Sequence, residues 1–137
     1  MLSLDTSLDT FLYTILFYGF IIFIIEPIAE WSIHIFLHII DNYSHNTHHK
    51  HYNENIVTPE LWPIIIYIIA VYYNYYYISL GFIKYWCIHT LLHFYPKLFP
   101  SLTRHHITHH KYKNYNFAVS AIWPDIIFGT IYTYKPD

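Results

Sequence analysis

Charge is what this chain has least of. Asp, Glu, Lys and Arg supply 12% of its 137 residues while 55% are hydrophobic; a soluble domain carries about 25% charged residues. The length suits one domain, spanning residues 1–137, and the balance points to a membrane. Basic residues are missing from the first 49 positions, the seven being Lys50, Lys84, Lys97, Arg104, Lys111, Lys113 and Lys135. A net charge of −2 with neutral histidines provides no clustered Lys and Arg for phosphates, which excludes nucleic acid as a partner. The single cysteine, Cys87, cannot form an intramolecular disulfide, and its apolar surroundings predict packing rather than redox chemistry. The chain starts with Asp5 and Asp9 and no Lys or Arg, unlike a secretory signal, so the first hydrophobic segment is expected to be retained.

What the chain has instead is long apolar runs. Phe11 to Ile25 is uncharged, and helix is expected to continue from Glu26 to Ile40 with Pro27 as its one breaker and the place for a kink. Asp41 to Pro59 is polar and reads as a loop with short helical turns. Leu61 to Phe94 is apolar over 34 residues, with Lys84 its only full charge. As one straight helix it would measure about 51 Å against a hydrocarbon core of roughly 30 Å. A helical hairpin is the better reading, turning at Asn74 or at Ser79 to Gly81, with short arms that dip into the bilayer. The apolar stretch Ile122 to Tyr134 is too short to span and is expected at the interface. The 16 tyrosines fit a composition biased toward Ile, Tyr and Asn better than an aromatic belt.

The 12 histidines fall into four groups. His34 and His38 are four apart, as are His89 and His93, so each pair shares a helix face. HNTHH at 45 to 49 and HITHH at 106 to 110 repeat one spacing, and each triad, His45, His48 and His49 or His106, His109 and His110, is expected to converge on one turn. Ten imidazoles exceed the places around one ion and suit two metals. His51 and His105 fall outside the repeated spacing and are not expected to be ligands. Glu30 reads equally as a partner of a ligand imidazole or as an interfacial carboxylate. All four groups can share one centre only if the hairpin returns to its starting side. Lys50, Lys97, Arg104, Lys111 and Lys113 flank the histidines, and the positive-inside tendency makes that side cytoplasmic.

This order of pair, triad, pair, triad resembles the fatty acid hydroxylase superfamily of membrane di-iron proteins, which includes sterol desaturases and sterol methyl oxidases. The resemblance covers about Glu26 to Tyr134. Its ligand boxes fall on His34 and His38; His45, His48 and His49; His89 and His93; and His106, His109 and His110. NYNFAVSAIWPDIIFGT, Asn114 to Thr130, is similar to the family's closing signature, although Ala118 stands for the usual glycine and Pro124 precedes Asp125 where tryptophan is usual.

The resemblance implies an all-α integral membrane protein with few transmembrane or re-entrant helices and a cytoplasmic histidine-rich cap. It selects iron from ions that imidazole equally accepts, zinc included, with O2 as co-substrate. It further implies an endoplasmic reticulum-type membrane, a lipid substrate and, since no flavin or haem motif is present, electrons from a cytochrome b5 and its reductase. The strings HTLLHF and DIIFGT look closer to the fatty acid 2-hydroxylase branch, so hydroxylation of an acyl chain, at carbon 2, is the leading expectation. A sterol-type desaturase or oxidase and a non-catalytic metal-binding membrane protein are the competing readings.

Overall fold

The computed structural model describes residues 5–51 and 61–133, and among them every regular element is helical. The chain opens with α1 (Asp5–Phe20), passes through a π-helical segment (Ile21–Ile25) and runs on as α2 (Glu26–Ile39). Together they form a continuous helix over Ser7–Ile39, 33 residues. It is the one helix among the described residues long and apolar enough to cross a membrane. The side chains of Phe11, Leu12, Tyr13, Ile15, Leu16 and Phe17 are all exposed, so nothing among the described residues covers this half of it.

Pro27 does not break the helix, which runs on through it. Its ring crowds the carbonyl four residues back and it has no N–H to donate, and the wide π turn immediately before it accommodates both defects. The Glu26 amide reaches back to Ile21 O, so in the same five-residue pattern Ile22 O would look to the missing Pro27 N–H. Lys84 supplies the donor instead, with Nζ 2.9 Å from Ile22 O, and forms an ion pair with Glu26. Downstream, Pro27, Glu30, His34 and Leu37 are buried, a stripe at helical spacing that faces the rest of the protein.

The next turn is built by two adjacent residues. Asp41 has φ 52°, and the Asn42 amide bonds Leu37 O at 3.1 Å while the Asp41 amide bonds His38 O at 3.3 Å, the paired bonds of a left-handed helix stop. Asn42 then caps α3 (Tyr43–His51), accepting the His45 amide on its side-chain oxygen at 3.1 Å. Stop and start in consecutive residues fold α3 back against the end of α2.

The apolar stretch forms the expected hairpin, α4 (Leu61–Tyr72) and α5 (Tyr76–Phe94). Its turn is at Asn74, with φ 61°, a conformation Asn tolerates better than most residues. The Tyr75 amide bonds Ala70 O at 2.8 Å and the Asn74 amide bonds Val71 O at 3.0 Å, the same stop motif as at Asp41. Ser79 and Gly81, the alternative turn, lie inside α5 and are buried. Gly81 is small for a different reason: a Cβ there would stand 2.7 Å from Glu26 Cγ, so α5 passes too close to α2 for a side chain.

Pro96 stops α5 and Pro100 opens α6 (Pro100–Lys111). An irregular segment then leads to the short α7 (Trp123–Ile127). Pro124 and Asp125 of α7 are buried, whereas Ile126, Ile127 and Phe128 are exposed. A small apolar cluster of Tyr85, Leu92 and Val119 packs with Ile88 and Leu102. Cys87, expected to pack, is exposed.

Candidate metal centre

Ten of the histidines gather where α2, α3, α5 and α6 meet, in two groups of five. His34, His38, His45, His49 and His109 form the first, and His48, His89, His93, His106 and His110 the second. Within each group the facing nitrogens all lie within 4.8 Å of one another. The structure thus brings together every histidine that spacing singled out, and His51 and His105 belong to neither group.

The division between groups differs from the expected one. Each triad was expected to converge as a unit, but each is split. His45 and His49 join the first group while His48 crosses to the second; His106 and His110 join the second while His109 crosses to the first. Helix geometry explains the exchange. At 3.6 residues per turn, positions i and i+4 point about 40° apart, whereas i+3 and i+4 diverge by about 100°. A triad lying between two centres gives its outer pair to one and its middle member to the other.

The spacing of the nitrogens fits bound cations. In the first group Nε2 atoms form a closed ring: His38 to His109 3.2 Å, His109 to His49 3.1 Å, His49 to His45 3.2 Å and His45 to His38 3.0 Å. In the second, His89, His93 and His106 form a triangle with edges of 3.2, 3.0 and 3.1 Å, with His48 3.2 Å from His89 and His110 3.0 Å from His106. Metal–imidazole bonds of about 2.1 Å place adjacent ligands about 3.0 Å apart in octahedral geometry and about 3.4 Å apart in tetrahedral geometry. Four nitrogens of the first group and all five of the second have edges near the first value, a spacing that suits ligands around a common cation.

The chemistry of the donors agrees. The Nδ1–H of His34 donates to Phe117 O at 2.5 Å and that of His109 to Tyr115 O at 2.7 Å. Each then carries a lone pair on Nε2, aimed at other ring nitrogens, a repulsion that a cation removes. Burial, aided by neighbouring histidines, pushes His49, His106 and His110 well below the ordinary imidazole pKa and lowers His109 to about 3. Neutral imidazole is the form that binds a metal.

Around the histidines stands a framework that spacing did not reveal. Asp125, 0% exposed, accepts the amides of Phe117 and Ala118, each at 2.9 Å. It also accepts His105 Nε2 at 2.8 Å, Thr130 Oγ1 at 2.6 Å and Trp31 Nε1 at 3.2 Å. Burial alone would raise its carboxyl pKa, but these bonds outweigh burial and hold it below the ordinary value. Glu30 is buried, and the partners of its Oε1 are not imidazoles but the amides of Val119 at 2.5 Å and Ser120 at 2.6 Å. Four successive amides, 117 to 120, are therefore held by two buried carboxylates. A lone Asp in the apolar string IWPDIIFG was the available signal, since a buried carboxylate demands donors.

A cleft of about 400 Å³ adjoins the centre between the long helix and the hairpin. Ile25, Ile33, Ile66, Ile78 and Phe82 line it, along with Tyr85, Glu26 and Glu30. Ile33 precedes His34 in the chain, and the Tyr85 ring lies 5.4 Å from that of His89, so two residues of the cleft wall neighbour the histidine-bearing turns. No family model, curated protein or solved structure matches this chain.

Proposed function

We propose that this chain is an integral-membrane, O2-dependent oxidoreductase of the fatty acid hydroxylase type, whose ten clustered histidines hold two iron ions and whose reaction is hydroxylation of a fatty acyl chain, at carbon 2. The observation that carries this reading is the nearness of two five-histidine groups to an apolar cleft. Bound iron would supply the oxygen chemistry at an unactivated C–H bond that side chains cannot perform.

The chain's own residues account for the rest. Ten imidazoles hold the ions and keep charge from carboxylate ligands out of the site. The isoleucines, Phe82 and Tyr85 of the cleft accept a hydrocarbon chain and exclude water from it. A single acyl chain suits so small a cleft better than a sterol ring system. Membrane insertion is supported by the uncovered apolar half of the long helix, since each exposed Å² left in water costs about 25 cal/mol. Lys50, Lys97, Arg104, Lys111 and Lys113 are exposed on and beside the histidine-bearing helices, which favours the cytoplasmic side of an endoplasmic reticulum-type membrane. Electrons would come from a donor such as cytochrome b5 and its reductase.

Expression in cells lacking their own 2-hydroxylase tests the proposal. Mass spectrometry of the lipids should find 2-hydroxylated acyl chains that disappear with His109→Ala. Altered sterols with unchanged acyl lipids would instead assign the sterol-type reaction, and no lipid change despite bound metal would leave a non-catalytic metal protein.

A further inference from the structure

We propose that Asp125 is a positioning residue chiefly for the first histidine group, so that the two metal positions differ in what holds their ligands. The inference rests on reading both groups as metal sites.

The backbone carbonyls of Tyr115 and Phe117 brace ligand rings, and both act on the same group, through His109 and His34. A carbonyl can only accept, so each brace fixes the proton on Nδ1 and turns the Nε2 lone pair inward. What fixes the carbonyls is the path of residues 115–118, and Asp125 holds that path by the Phe117 and Ala118 amides.

Asp125 is tied in turn to the two helices that carry the braced rings. Trp31, one turn before His34 on α2, donates Nε1–H to Asp125 and to Thr130 Oγ1 at 3.0 Å. His105, one turn before His109 on α6, donates to the other carboxylate oxygen. Asn116, with φ 57°, adds a bond from its side chain to His105 O at 3.2 Å. One carboxylate thus sets the relative position of α2, α6 and the segment whose carbonyls aim His34 and His109. His89 and His93 of the second group stand on α5, outside these ties.

Zn(II) binding by the full chain in detergent, at chelator-buffered concentrations, tests the proposal. The wild type should bind two ions. Asp125→Asn, which puts an amide N–H among donors, should weaken one ion by the roughly 10–100-fold typical of lost outer partners and leave the other nearly unchanged. The affected ion is identified by combination: Asp125→Asn with His89→Ala should retain neither ion, whereas Asp125→Asn with His38→Ala should retain one. Retention of both ions by Asp125→Asn, equal loss of both, or one ion kept by the Asp125/His89 pair would overturn the proposal. Should Asp125→Asn not fold, Trp31→Phe decides, because it keeps an aromatic ring beside Phe128, 4.4 Å away in the native pair, and removes the Nε1 donor to Asp125 and Thr130. It should weaken the same ion, and wild-type affinity for both would overturn the proposal. A wild type binding fewer than two ions is a different failure, that of the metal reading itself.

Discussion

His48 and His49 are neighbours in the chain and serve different centres. Their rings lie 5.9 Å apart at 74°, with His48 Nε2 3.2 Å from His89 and His49 Nε2 3.2 Å from His45. His48→Ala and His49→Ala are therefore expected to weaken different ions, each by at least the roughly 10–100-fold attributed to an outer partner, and the double variant both. Metal per chain after dialysis against a chelator measures this. If the two single variants strip the same ion, judged by pairing each with His38→Ala, the division into groups is wrong.

Acid should unfold the metal-free protein early. Histidines titrate near 6.5 when unfolded, while burial holds His109 down to about 3 and keeps His49, His106 and His110 depressed as well. Between those limits the unfolded chain binds protons that the folded one refuses, so stability rises with pH across the window and is lost as pH falls from about 6.5 toward about 3. Each fully shifted histidine contributes a slope of about 1.4 kcal/mol per pH unit. Denaturation midpoints should drop from pH 7 to pH 5; no change on acidification would contradict the burial of neutral rings.

Lys84 should matter for the fold more than a lone charge in an apolar run suggests, since it is half-buried. Lys84→Met keeps the stem but strands Ile22 O and leaves Glu26 without its cation, at a cost of about 2 kcal/mol. Gly81→Ala should cost a similar amount, about 1–3 kcal/mol, by overpacking against Glu26. Thermal unfolding in detergent would register both, and Gly81→Ala alone should be relieved by shortening Glu26 to Ala. Lack of that relief would mean Gly81 is small for another reason.

The ends of α3 and α6 should face the same side of the membrane. After Cys87→Ser, which removes an exposed native thiol, single cysteines at Lys50 and Asn114, both exposed, should react with an impermeant reagent from the cytoplasmic side only. Reaction from opposite sides would be irreconcilable with a shared metal centre.

The histidines were legible because helices that gather imidazoles toward one point leave a periodic trace, and Asn74 was legible because few residues tolerate a left-handed turn. Their apportioning was not, since spacing states which side chains share a face and not which of two centres that face straddles. Gly81 misled for a physical reason: a missing side chain marks close helix approach as well as a turn. Pro27 announced a disturbance without saying that Lys84, 57 positions on, would absorb it. Asp125 was hidden because the partners that make it useful are backbone amides, which look the same in every sequence.

The exchange of His48 and His109 between groups also bears on how the protein is made. When synthesis has reached residue 105, the first group possesses four of its five histidines and the second only His48, His89 and His93. Neither is complete until α6 emerges, and α6 completes both within one and a half turns of helix. A nascent chain stalled in the hairpin would thus carry two unfinished sites side by side, and metal loading becomes a single late event of biogenesis instead of two independent ones.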